Sequence, residues 1–130
     1  MSLLVTKPAP EFKAQTVLAD NTIAEKTLSE LRGDKYAVVF FCPSEIVAFD
    51  RKLNEFKKRN CEVIGISVDS QFTHLAWKNT PLEKGGIGNV KFPLVADLTK
   101  QIAEQYGVLI NGAVALRGLF LIDKAGVVRH

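Results

Sequence analysis

The 130 residues hold only two cysteines and two histidines. Cys42 and Cys61 stand far apart and make no disulfide framework, so a reducing, cytoplasmic home is expected. His74 has no other ligand type beside it at metal-site spacing, and His130 is only the chain end, so no metal site is expected. No apolar run approaches the roughly 20 residues of a membrane span. The N-terminus lacks the basic-then-apolar order of a signal peptide. A net charge of +3 is too small to imply a nucleic-acid partner, and Lys57-Lys58-Arg59 reads as the solvated end of a helix, where cations suit the dipole. No repeat, linker or low-complexity tract interrupts the chain. What is present is ordinary for a soluble protein: 47% hydrophobic and 24% charged residues, enough for one domain, 1–130, with a real core.

One residue stands out against this background. Cys42 ends an apolar run, Tyr36-Ala-Val-Val-Phe-Phe41, and opens Cys42-Pro43-Ser44-Glu45. Proline is favoured at the first helical position, and Glu45 falls where a helix-opening acid belongs. Cys42 is therefore expected at a helix N-terminus, where unpaired N–H groups and the dipole favour an anion. A thiol there is expected to have a lowered pKa and to react as thiolate. The other reading of a free cysteine, burial as an inert small hydrophobe, stays open on position alone.

The rest of the chain alternates strand and helix signals. Short β-prone pieces around Phe12 and Val17-Leu18, with a turn at Asp20-Asn21, predict a hairpin. Thr27 to Leu31 with Gly33 predicts one helical turn and a stop. Tyr36–Phe41 reads as a central strand buried on both faces. Ile46, Phe49, Leu53 and Phe56 lie on one face of a single helix. Cys61–Val68 predicts a second central strand, and Asp69 or Ser70 caps a helix from Gln71 to Asn79. Gly85-Gly86-Ile87-Gly88 is a loop, Phe92–Ala96 a third strand, and Asp97 caps a helix containing Ile102, Ala103 and Tyr106. Leu119–Ile122 is a fourth strand, and Val127-Val128 returns along it after a turn. Crossovers between buried strands imply parallel pairing with helices on both faces. The expected fold is α/β, a thioredoxin-like architecture with an N-terminal β-hairpin extension.

These residues also carry a family resemblance. Lys7-Pro-Ala-Pro-Glu-Phe12, Cys42-Pro-Ser-Glu-Ile-Val-Ala-Phe49, Glu62-Val-Ile-Gly-Ile-Ser-Val-Asp-Ser70 and His74-Leu-Ala-Trp-Lys-Asn-Thr-Pro81 occur in order. Gly85-Gly-Ile-Gly88, Phe92-Pro-Leu-Val-Ala-Asp97 and Ala115-Leu-Arg-Gly-Leu-Phe-Leu-Ile-Asp123 follow. Together they resemble the typical two-cysteine peroxiredoxins of the bacterial alkyl hydroperoxide reductase C type, over nearly the whole chain.

The resemblance implies a thiol peroxidase for hydrogen peroxide and small alkyl hydroperoxides that needs no metal or organic cofactor. Cys42 matches the peroxidatic cysteine, whose thiolate attacks a peroxide oxygen and becomes a sulfenic acid, then an intersubunit disulfide. Arg117 matches the active-site arginine, a fixed guanidinium that favours the thiolate and hydrogen-bonds a peroxide oxygen. Glu45 matches a position that holds the arginine network; helix capping accounts for it nearly as well. By the same resemblance the partners are further copies of the chain, as dimers with five dimers in a ring, and thioredoxin or a flavoprotein disulfide reductase as electron donor. The alternative function is a redox-switched holdase chaperone or an inactive assembly subunit.

The departures are specific. The family signature runs Pro-x-x-x-Thr-x-x-Cys, and here those two positions hold Lys35 and Val39. The chain passes from Phe41 straight to Cys42, without an active-site loop segment. The loop near Leu109-Ile110-Asn111-Gly112 is short, and the tail that carries the family's resolving cysteine lies outside these 130 residues. Either the molecule is a deletion variant with no substrate pocket, or those segments belong to the protein beyond these residues. The family is mobile at all three places, which favours the second reading, with the Cys42 region locally unfolded.

Cys61 begins a central strand and is expected to be buried rather than resolving. His74 is expected to be structural or interfacial, and Trp77 and Phe72 to be packing residues. Gly85-Gly86-Ile87-Gly88 neither follows a strand nor opens a helix with Lys-Ser/Thr, so it is no phosphate loop.

Overall fold

The computed structural model describes residues 4–41, 45–109 and 118–130. Its first element is the expected hairpin. Strand β1 (Lys13–Val17) pairs antiparallel with β2 (Ile23–Thr27), from Lys13↔Thr27 to Val17↔Ile23. Asn21 takes a positive φ of 72° in the turn, and the Asp20 carboxylate accepts from the Thr22 N–H at 3.0 Å, the local bonding for which Asn and Asp are favoured in turns. Helix α1 (Leu28–Arg32) then opens on a capping box, Thr27 with Glu30, and stops at Gly33.

Strands β3 (Tyr36–Phe40), β4 (Cys61–Ser67) and β5 (Leu94–Ala96) are parallel, with Phe40↔Gly65 and Gly65↔Leu94 in register. Strand β6 (Leu119–Ile122) lies antiparallel on β3, and β1 lies antiparallel on β5. The six-stranded order is β2-β1-β5-β4-β3-β6. Helices α2 (Ile46–Arg51) and α3 (Leu53–Lys58) join β3 to β4, α4 (Gln71–Lys78) follows β4, and α5 (Gln101–Gln105) follows β5. This is the expected thioredoxin-like architecture with its hairpin extension.

Both sheet faces are covered, so the central strands are apolar on each side. Ala37, Val39, Phe41, Ile64 and Ile66 pack on one face with Tyr106 and Phe120. Phe40, Val63 and Leu94 pack on the other with Ile46, Leu53 and Phe92. At Gly65 the second core packs directly on the backbone. A methyl there would lie 2.9 Å from Phe40 Cζ and 3.1 Å from Leu94 Cδ2. Gly65→Ala is expected to destabilise the fold by about 1–3 kcal/mol, read as a lower urea midpoint; an unchanged midpoint would show that Phe40 moves freely.

Four details differ from the expectations. The single helix after Cys42 is broken at Lys52, whose backbone (φ −105°, ψ 9°) leaves the helical region. The Lys52 N–H closes back on Phe49 O at 3.1 Å. The tightened turn keeps Ile46 and Leu53 buried, lets Phe49 stack on Phe40 at 4.4 Å, and leaves Asp50 accepting from the Lys91 N–H at 2.8 Å. The third strand starts at Leu94 rather than Phe92, since Pro93 has no N–H for the ladder. The return piece forms isolated bridges, Ile122↔Val128 and Pro8↔Val127, rather than a full strand. Around Pro8, Thr6 N–H donates to Val128 O at 2.8 Å, Val128 N–H to Lys7 O at 2.9 Å and Ala9 N–H to Gly126 O at 2.8 Å. Finally, Phe72 is 68% exposed and packs in no core: α4 turns His74 and Lys78 toward the sheet, which leaves Phe72 on the outer face.

Candidate active site

The chain neighbours of Cys42 and Arg117 meet at one end of the sheet. Phe41 continues β3 and donates its N–H to the carbonyl of Gly118, just ahead of β6, at 2.8 Å. A methyl on Gly118 would lie 2.6 Å from Val108 Cγ1, so this backbone has no room for a side chain. Cys42 and Arg117 themselves lie outside the described residues, as do the expected helix start at Pro43, the short loop from Ile110 to Gly112 and the local unfolding around Cys42.

Glu45 is the expected site residue that is described. It occupies the N-cap of α2 with helical backbone (φ −92°, ψ −7°), and its side chain makes no capping hydrogen bond. The described α-helix begins at Ile46. Glu45 thus stands at the opening of the described helix.

Three aromatic rings support this end of the sheet. The Phe41 ring centroid lies 5.4 Å from Tyr106 and 6.0 Å from Phe120, which are 5.1 Å from each other, spacings at which rings attract beyond their buried area. The Tyr106 hydroxyl donates to Pro10 O at 2.8 Å, and burial pushes its phenol pKa up. Sequence reading named Tyr106 only as a helix residue; its spacing from Ile102 and Ala103 was the signal that it faced the core.

A polar cluster lies at the C-terminal end of β4, the strand next to β3. Ser67 Oγ donates to Asp69 Oδ2 at 3.0 Å and sits 2.6 Å from His74 Nε2. The one hydroxyl proton is already given to Asp69, so we assign the imidazole proton to Nε2, donating to Ser67. That leaves His74 Nδ1 as a buried acceptor without a hydrogen bond. Burial lowers the His74 pKa from 6.5 to about 4, with Asp69 opposing. Lys78, one turn on, is 3% exposed and donates to Leu18 O at 3.0 Å; burial lowers its pKa too.

Cys61 lies at the opposite end of the sheet. It pairs with Tyr36, at the start of β3, whereas Phe40 pairs with Gly65. Its thiol is buried, and burial raises its pKa, as expected for an inert structural cysteine. A cleft of about 390 Å³ opens beyond the C-terminal end of β5, lined by Lys13, Gln15, Gln71, Asp97 and Thr99 among others. The Asp97 carboxylate there is committed to the Ile102 and Ala103 N–H groups at 3.0 and 2.8 Å. Among the described residues no group of three or more His, Cys, Asp or Glu is placed to hold a metal, and no helix is long and apolar enough to cross a membrane.

Comparison with known proteins adds a chemical class to this arrangement. Residues 5–130 match the AhpC/TSA family. The chain is 52% identical over 137 aligned positions to the alkyl hydroperoxide reductase C of Helicobacter pylori, covering 98% of this chain and 69% of that protein. The alignment is longer than the chain, so the relative carries residues that this chain lacks within the shared stretch. Among solved structures, the reduced 2-Cys peroxiredoxin of Plasmodium vivax superposes with a TM-score of 0.91 at 49% identity, covering 98% of this chain and 83% of that one. The Plasmodium yoelii thioredoxin peroxidase I gives a TM-score of 0.91 at 53% identity, covering 97% and 77%. These relatives bear peroxidase and reductase names and do not favour the holdase alternative. A thioredoxin-like sheet that brings the neighbours of Cys42 and Arg117 together, in a sequence matched from residue 5 to its last residue, places this chain in the AhpC/TSA family, as an enzyme of the peroxiredoxin class.

Proposed function

We propose that the chain reduces hydrogen peroxide and small alkyl hydroperoxides at Cys42. The thiolate attacks one peroxide oxygen, the O–O bond breaks, and water or an alcohol leaves as Cys42 becomes a sulfenic acid. Arg117 stabilises the thiolate and the charge developing on the leaving oxygen. Glu45, beside the first turn of α2, holds that arginine in place. The observation that supports this pairing is the Phe41–Gly118 hydrogen bond at 2.8 Å, since Cys42 and Arg117 are each one peptide bond beyond it. A consecutive Cα step is about 3.8 Å, so the two backbones start from a shared anchor.

Copies of the chain assemble as dimers, five to a ring, and the exposed Phe72 supplies apolar surface for such self-association. Electrons come from thioredoxin or a flavoprotein disulfide reductase, in the cytoplasm. The test is intact mass before and after one equivalent of hydrogen peroxide. A gain of one oxygen, or a loss of two hydrogens, mapped to Cys42 is the expected result. An unchanged mass with Cys42 still open to alkylation would remove the catalytic role and leave only assembly.

A further inference from the structure

We propose that the cleft beyond the C-terminal end of β5 binds a neutral, hydroxyl-rich ligand of the size of a small saccharide. The proposal does not depend on the peroxidase reading or on Cys42. Its first support is the place of the cleft in the fold. Strands β4 and β5 are neighbours and parallel. The chain leaving β4 enters α4, whose Trp77 packs on the face of Phe40, Val63 and Leu94. The chain leaving β5 enters α5, whose Ile102 and Ala103 pack on the opposite face. Adjacent strands whose connections depart to opposite faces leave a crevice at their carboxyl ends, and in open α/β sheets ligands bind in such crevices. The cleft has a volume of about 390 Å³, within the range of small-molecule sites.

The second support is the lining. Three of the chain's four glutamines meet at the cleft. Gln15 comes from β1, Gln71 is the first residue of α4 and Gln101 the first of α5. Thr99 joins them. None of these four side chains is hydrogen-bonded to another described residue, so three amides and a hydroxyl are left to bond what fills the cleft. Each of these groups both donates and accepts, as a sugar hydroxyl does.

The two charged residues of the lining are already matched. Lys13 pairs with Glu25 at 3.6 Å, and both Asp97 oxygens accept backbone N–H groups. An ion entering the cleft finds no unmatched opposite charge, whereas a neutral polyol finds four unmatched polar groups. Ala96 and the exposed Leu98 supply an apolar surface for the C–H face of a sugar ring.

Maltose is the probe. Saturation-transfer difference NMR reads its binding from the sugar's own signals, whatever the assembly size. Saturable transfer to maltose is expected with the parent protein. Gln71→Ala and Gln101→Ala are each expected to weaken binding about fivefold to tenfold, the loss of one hydrogen-bonding amide. Gln105→Ala, on α5 but outside the cleft, is expected to bind like the parent, and circular dichroism checks that all three variants are folded. No transfer in the parent would overturn the proposal, as would equal affinity in all three variants. Displacement of maltose by inorganic phosphate would assign the cleft to anions and overturn the neutral ligand. None of these outcomes bears on peroxide consumption, which is measured separately.

Discussion

Replacing Cys42 by serine is expected to lower kcat/KM for hydrogen peroxide by at least about a thousandfold, because a hydroxyl at neutral pH is a far weaker nucleophile than a thiolate. The change swaps one sulfur for an oxygen, and the neighbouring anchors, Phe41 and Ile46, are held by their own packing. Circular dichroism and the urea midpoint should therefore match the parent while stopped-flow peroxide consumption collapses. Cys61→Ala serves as the opposite control. Its thiol is buried at the far end of β4, so its loss should lower stability and leave the rate per folded molecule alone. If Cys42→Ser keeps its rate, the nucleophile is elsewhere and the family assignment of Cys42 fails for this chain.

The second large effect concerns acid. His74 is 1% exposed, and its pKa falls from 6.5 to about 4 because burial penalises the imidazolium. In the unfolded chain the ring takes up a proton near pH 6.5; in the folded chain it does so only near 4. Between these values unfolding binds a proton, so stability falls as pH falls and levels off below the folded pKa. The full window is worth up to about 3 kcal/mol. Above pH 6.5 the contribution is flat. His74→Gln keeps a donor toward Ser67 Oγ and removes the titration. The parent is therefore expected to lose stability relative to this variant across pH 6.5 to 4, by chemical denaturation at each pH. Asp123, whose carboxyl is held below its usual range by the Val127 N–H and by Arg129, is common to both proteins and cancels in the difference. Parallel curves for the two proteins would show that His74 charges in the folded state at little cost.

Most of the sheet was legible because its strands are continuous apolar runs and its turns use residues with one structural purpose. Tyr36–Phe41, Cys61–Val68 and Leu119–Ile122 were placed from hydropathy alone, and Thr27 with Glu30 marked α1 through reciprocal capping. The face of α4 was not legible. Its apolar Phe72 points outward while His74 and Lys78 are buried, since each polar group finds a specific acceptor, Ser67 or the Leu18 carbonyl. Average hydropathy cannot see a partner contributed by a distant strand or turn. The break at Lys52 escaped for a related reason: the 3-and-4 spacing of Ile46, Phe49, Leu53 and Phe56 is kept on both sides of it, and what tightens the turn is contact with Phe40 and Lys91, remote in sequence. At the site itself, local pattern pointed to Cys42 and Glu45, and Arg117 came only through resemblance. The contact that relates them, Phe41 to Gly118, joins residues far apart in the sequence and leaves no local trace.

The bridge between the segments around Pro8 and Val127 has a mechanical consequence. The two segments run antiparallel, and Thr6, the residue nearer the N-terminus, is bonded to Val128, the residue nearer the C-terminus, while Ala9 is bonded to Gly126 further in. Tension applied through the flanking chain would enter both segments from the same side. The hydrogen bonds would then open one after another like a zip, beginning at Thr6–Val128, instead of sharing the load in shear. Such a contact resists heat as part of the folded body yet yields to a small directional pull, and a pull along this axis would peel residues 4–9 away from 126–128 before it strained the parallel ladder of β3, β4 and β5.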